Sequence, residues 1–146
     1  MSDEWLTRLQ EPGYDWRARD PAASESDLKA LEAYCKRPLP ADYATFMRAW
    51  GGAEVSFRDL WIIRLWRPQD ISIWSSAYGF TSERMSDAVA FGDNGGGEAL
   101  VFDIRPQHRD GDYPVLAVNF VSITWSEVIP VADSFRELLL LRRPLL

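Results

Sequence analysis

Residues 40 to 52 constrain the fold more than any other stretch, because the start, the buried face and the end of a helix are all written there. Pro40 suits a first helical turn, where its missing N–H is no loss, and Asp42 puts negative charge near the positive end of the helix. Tyr43, Phe46, Met47 and Trp50 fall at i, i+3, i+4 and i+7, one continuous apolar stripe with Arg48 off it. Gly51 stands where a left-handed residue closes a helix.

Beyond Gly52 the period changes. Leu60 to Trp66 is rich in β-formers, with Trp61, Ile63 and Leu65 on one side and Leu60, Ile62, Arg64 and Trp66 on the other; both sides are mostly apolar, as in an interior strand. Ala88 to Phe91 and Ala99 to Ile104 flank a glycine cluster as a hairpin. Val115 to Phe120 gives another strand, and Ile123 to Trp125 a shorter extended piece that pairs nearby. Ser24 or Ser26 can cap a helix that turns Leu28, Leu31 and Cys35 inward before Pro38 ends it, and Asp133 caps a last helix carrying Phe135, Leu138 and Leu139. Between residues 68 and 87, Pro68 and Asp70 can start a helical turn, but Ser75, Ser76, Gly79 and Ser82 favour a turn plus loop.

Residues 1–23 form a lead-in segment, with a short helix through Trp5, Leu6 and Leu9 and then a loop rich in Pro, Gly and charge. Residues 24–146 form the domain. Helix, then strands, then helix predicts an α+β fold: a single domain, an antiparallel-rich (mixed) twisted sheet and helices packed on one face. The 146 residues suffice for one hydrophobic core, and 47% apolar with 26% charged residues is a globular balance.

Charge narrows the partners. A formal net charge of −6 weighs against nucleic-acid binding, which depends on Lys and Arg replacing condensed counterions, and favours a basic protein partner. The apolar runs, Val128 to Ala132 among them, are too short to span a bilayer. The acidic start lacks the layout of a secretory signal, and the lone Cys35 cannot form an internal disulfide, so a cytoplasmic location is expected.

Catalytic chemistry finds no constellation. Gly92-Asp93-Asn94-Gly95-Gly96-Gly97-Glu98 invites a phosphate loop, but Asp93 and Glu98 repel phosphate, the P-loop Lys is missing, and a strand follows. A cation site from Asp93, Asn94 and Glu98 lacks the calcium-loop spacing, which leaves a hairpin turn with positive φ at several positions. His108 lies in a polar loop and reads as solvated, Cys35 lies on an apolar stripe and reads as core, and Asp110 and Asp112 flank Gly111 as turn residues. No metal and no cofactor is expected. Seven tryptophans are a heavy load; Trp5, Trp50 and Trp61 read as core, whereas Trp66, beside Arg64, and Trp74, among serines, are candidate interface anchors.

Several of these residues together resemble the SUKH superfamily. They are Ser26, Leu28, Leu31 and Glu32; Leu39, Pro40, Asp42, Tyr43 and Phe46; Trp50-Gly51-Gly52; Gly92 to Glu98 with Val101-Phe102-Asp103; and Ala132 to Phe135 with Leu138-Leu139. The match spans most of residues 24 to 57 and 88 to 141; residues 66 to 87 match poorly, and Trp50 stands where the family usually has Asn. The superfamily includes fungal cell-wall-synthesis regulators and bacterial immunity proteins that bind and neutralise cognate toxins, often nucleases. The resemblance implies an α+β domain with no catalytic residues to transfer, acting as an immunity protein on a toxin domain; the alternative is a regulatory scaffold for an endogenous partner. On either, the partner-binding candidates are Trp66, Trp74, Asp93, Asn94, Glu98, Asp110 and Asp112.

Overall fold

A computed structural model describes residues 3–80 and 84–146, and Ser82 of the expected loop lies outside them. Seven strands follow one another across a single sheet, each hydrogen-bonded to the next in sequence and every pair antiparallel. They are β1 (Tyr14–Arg19), β2 (Ala53–Phe57), β3 (Trp61–Leu65), β4 (Ala88–Asp93), β5 (Glu98–Asp103), β6 (Val115–Asn119) and β7 (Ile129–Ala132). The helices are α1 (Glu4–Arg8), α2 (Glu25–Cys35), α3 (Ala41–Ala49), α4 (Ile71–Tyr78) and α5 (Phe135–Leu139). The fold is therefore α+β with an antiparallel sheet, as the sequence predicts.

The main core lies between the helices and one sheet face. Leu28 and Leu31 of α2, Tyr43, Phe46 and Met47 of α3 and Phe135, Leu138 and Leu139 of α5 pack on Val55, Ile63, Phe91, Leu100, Phe102 and Val115. Alternation along each strand selects those residues, since every second side chain points to the same face. At the centre Phe91 stacks on Phe102 at 4.1 Å, and Tyr43 meets Phe102 and Phe135 edge-on at 5.6 and 5.2 Å. A second, smaller cluster on the opposite face joins Ala90, Ala99, Val101, Leu116 and Val118 to Phe80, Met85 and Ile123 from the loops.

Local signals act much as their chemistry dictates. Ser24, of the two candidate serines, caps α2 by accepting the Asp27 N–H at 3.1 Å. Ser134, not Asp133, caps α5: its hydroxyl accepts the Glu137 N–H, while the Glu137 carboxylate accepts the N–H of Asp133, one residue before the cap, a variant of the capping box. At the end of α3 the positive φ belongs to Gly52, at 143°, and not to Gly51. Gly51 is needed for a different reason, because a Cβ there would stand 2.5 Å from the Pro21 carbonyl oxygen.

Four segments differ from their sequence expectations. The loop expected through Ala23 contains β1, which pairs with β2 and forms the sheet edge. Strand β3 buries only Trp61, Ile63 and Leu65; Ile62 and Arg64 are exposed. Residues 71–78 form a two-turn helix rather than a loop, because Ile71 and Ser75, one turn apart, both bury. The last strand is Ile129–Ala132 and not Ile123–Trp125: the Thr124 hydroxyl caps a short 3₁₀ turn there, and the Trp125 indole donates to the Ser86 carbonyl at 3.0 Å.

Candidate functional site

The glycine cluster is the turn of the β4–β5 hairpin, and its polar side chains build that turn. Asp93 Oδ1 accepts the Gly95 N–H at 2.8 Å, and its Oδ2 accepts the Trp66 indole N–H at 3.0 Å. Asn94 Oδ1 accepts the N–H groups of Gly96 and Glu98, and its amide donates to Glu98 Oε1 at 2.8 Å. Gly95 and Gly97 hold positive φ, 71° and 104°, as the turn requires. These bonds tie the polar side chains to the turn itself and to Trp66.

Trp66 carries the hairpin's position over to α4. Its ring lies 6.3 Å from Trp74 and 6.0 Å from Tyr78, and Trp74 stacks on Tyr78 at 5.7 Å with 19° between planes. Tyr78 in turn meets Phe120 at 4.4 Å, and the Phe120 N–H donates to the Gly97 carbonyl. An aromatic ladder thus runs from α4 to the glycine turn. It is open to solvent: Trp74 is 43% exposed, Tyr78 40% and the neighbouring Ile73 65%.

Five of the seven predicted contact residues, Trp66, Trp74, Asp93, Asn94 and Glu98, come together here. Asp110 and Asp112 do not. They follow the other end of β5, roughly 17 Å away at ~3.3 Å per residue. There Asp110 accepts Arg37 Nη2 at 2.8 Å, while the same guanidinium donates to the carbonyls of Ile104, Arg105 and His108. Asp110 is thus part of a clamp that folds residues 104–110 onto the end of α2; Asp112 is exposed.

His108 is not solvated as its loop position suggests. Its Nε2 lies 3.0 Å from Oδ2 of the buried Asp103, which also accepts Nε and Nη2 of Arg105 at 2.9 and 2.7 Å. Burial opposes ionisation of Asp103, but the hydrogen bonds from Arg105 and His108 outweigh it and hold the carboxyl below its usual range. Cys35 is partly buried and faces a small apolar cavity with Leu31 and Tyr43. Burial, with the charge of Glu32 adding, pushes its thiol up to about 12, so it is not a thiolate nucleophile at neutral pH. Among the described residues no group of three or more His, Cys, Asp or Glu side chains could hold a metal ion, and no helix is long and apolar enough to cross a membrane.

Sequence reasoning missed Tyr78, Ile73 and Phe120. The signal was present as Trp74 and Tyr78 four residues apart, which share a face only once residues 71–78 are taken as helix.

The aromatic ladder thus lies open beside an acidic turn, on an antiparallel sheet backed by helices. The family model for the SMI1 / KNR4 family (SUKH-1) matches residues 22–141, and the chain belongs to that family. No curated protein matches it. Membership supports protein–protein interaction in general, in a toxin-immunity or SMI1/KNR4-like role.

Proposed function

We propose that the protein is a non-enzymatic, stoichiometric immunity protein that binds a cognate bacterial toxin domain in the cytoplasm and covers its active site. The surface assigned to that contact is the ladder of Trp66, Trp74 and Tyr78 with the turn carrying Asp93, Asn94 and Glu98. The observation that carries this assignment is the exposure of two stacked aromatic rings at the edge of a domain of net charge −6. Large aromatic side chains dominate interface energetics when a partner desolvates them, and a nuclease toxin's basic substrate cleft complements an acidic surface. Asp110 and Asp112 lie outside this contact.

Co-expression with the toxin tests it. The protein should restore growth and co-purify with the toxin at one to one, and Trp74→Ala should weaken the complex without loss of folding. Failure to restore growth, with no complex formed by a folded protein, would remove the immunity role.

A further inference from the structure

Arginines cover aromatic rings throughout this molecule. Arg19 lies 4.5 Å from the Trp16 ring centroid and 4.9 Å from that of Trp50, Arg37 lies 5.0 Å from Tyr113, Arg105 3.8 Å from Trp125, and Arg142 4.3 Å from Phe57. Each of these is a guanidinium over a ring face, attracted by the ring's quadrupole. Among the described residues, no guanidinium lies over Trp66, Trp74 or Tyr78, although Tyr78 stacks with both tryptophans and two of the three rings are exposed.

We infer that the Trp66–Trp74–Tyr78 group receives an arginine side chain of the protein partner, a refinement that rests on the binding role proposed above. Trp74 and Tyr78 stack within 19° of parallel and each is about two-fifths exposed, so the open side of the stack presents π surface to a planar guanidinium. Asp93 stands at the inner edge of the group, fixed there by the Trp66 indole. Two N–H groups occupy part of its carboxylate, and Nε of the chain's own Arg64 lies 3.9 Å from Oδ1; of the about four acceptor positions on the two oxygens, the second one on Oδ2, beside the Trp66 indole, remains for an incoming guanidinium. Arginine suits this site better than lysine because its cation is planar, weakly hydrated and able to stack while donating to a carboxylate. The acidic balance of the chain favours the same partner.

The test needs no toxin. The ¹⁵N-labelled full chain is titrated with an acetylated, amidated tetra-arginine peptide and, separately, with its citrulline twin, which has nearly the same shape and no charge. The arginine peptide should move the indole N–H resonances of Trp66 and Trp74 saturably, and the citrulline peptide should not. Trp74→Leu, which keeps apolar bulk but removes the π face, should weaken binding roughly two- to fivefold, and Trp74→Tyr should restore most of it. Equal shifts with both peptides, shifts centred on Asp110 and Asp112, or unchanged binding by a folded Trp74→Leu protein would overturn the inference. The two proposals fail separately: peptide binding without growth rescue removes immunity and keeps arginine recognition, whereas rescue with unmoved indoles does the reverse.

Discussion

Replacing Tyr43 by Phe should stabilise the protein, although Tyr43 is part of the stripe that organises the fold. Its side chain is 0% exposed, and among the described residues its hydroxyl has no hydrogen-bond partner. Burial pushes the phenol pKa upward, so the group stays neutral and the cost is that of an unpaired polar group, about 1–3 kcal/mol. Deleting the oxygen enlarges the neighbouring apolar cavity by roughly 10 Å³, which at about 24 cal/mol per Å³ costs only about 0.2 kcal/mol. The net gain is therefore about 1 kcal/mol or more, and a domain of this size should melt ~2–4 °C higher for each kcal/mol. Urea and thermal unfolding followed by circular dichroism would measure it. A loss of ~1 kcal/mol or more in Tyr43→Phe, with the fold intact, would refute the reasoning by showing that the hydroxyl is satisfied.

Gly92→Ala should be far worse than Gly97→Ala. A Cβ on Gly92 would stand 2.3 Å from the Arg64 carbonyl oxygen, where β3 and β4 meet in the short register Arg64–Asp93 and Leu65–Gly92, whereas a Cβ on Gly97 meets nothing within 4 Å and is strained by its φ of 104° alone. Unfolding free energies should drop by ~2–3 kcal/mol or more in the first and ~1 kcal/mol in the second. The depressed Asp103 carboxyl contributes stability that is fully present above its unfolded value and is lost as pH falls through its folded one. Between about pH 5 and pH 2 the urea midpoint of the wild type should therefore fall more steeply than that of Asp103→Asn. Asp110→Lys should loosen residues 104–110 by breaking the contact with Arg37, which faster amide exchange there would report, while Asp112→Lys should not; neither should alter toxin affinity.

The sequence revealed most where apolar periodicity and local chemistry agreed. Helices α2 and α3 and the β4–β5 hairpin were legible because their buried stripes and turn residues sit within one short window. Strand β1, Tyr-Asp-Trp-Arg-Ala-Arg, was not: Tyr14, Trp16 and Ala18 alternate with three charged residues, but six residues between Pro-, Gly- and charge-rich flanks give a short signal, and the register shifts between Trp16 and Ala18. Strand β2 alternates Ala53, Val55 and Phe57 against Glu54 and Ser56, but five residues between Gly52 and the Arg58 turn give little signal. Helix α4 was obscured by serines and β-branched residues, and its helicity comes from packing Ile71 and Ser75 against the body of the domain. The site was half legible for the same reason. Trp66, Asp93, Asn94 and Glu98 lie on readable elements, whereas the grouping with Tyr78 and Phe120, and the separation of Asp110 behind Arg37, arise from tertiary contacts.

Hydrogen–deuterium exchange on the complex with the toxin tests the docking surface most directly. Binding should slow exchange across 71–78, 93–98 and 119–121 and leave 104–112 unchanged. Protection confined to the Arg37 end of the sheet or to the β1 edge, with α4 exchanging as in the free protein, would contradict the assignment.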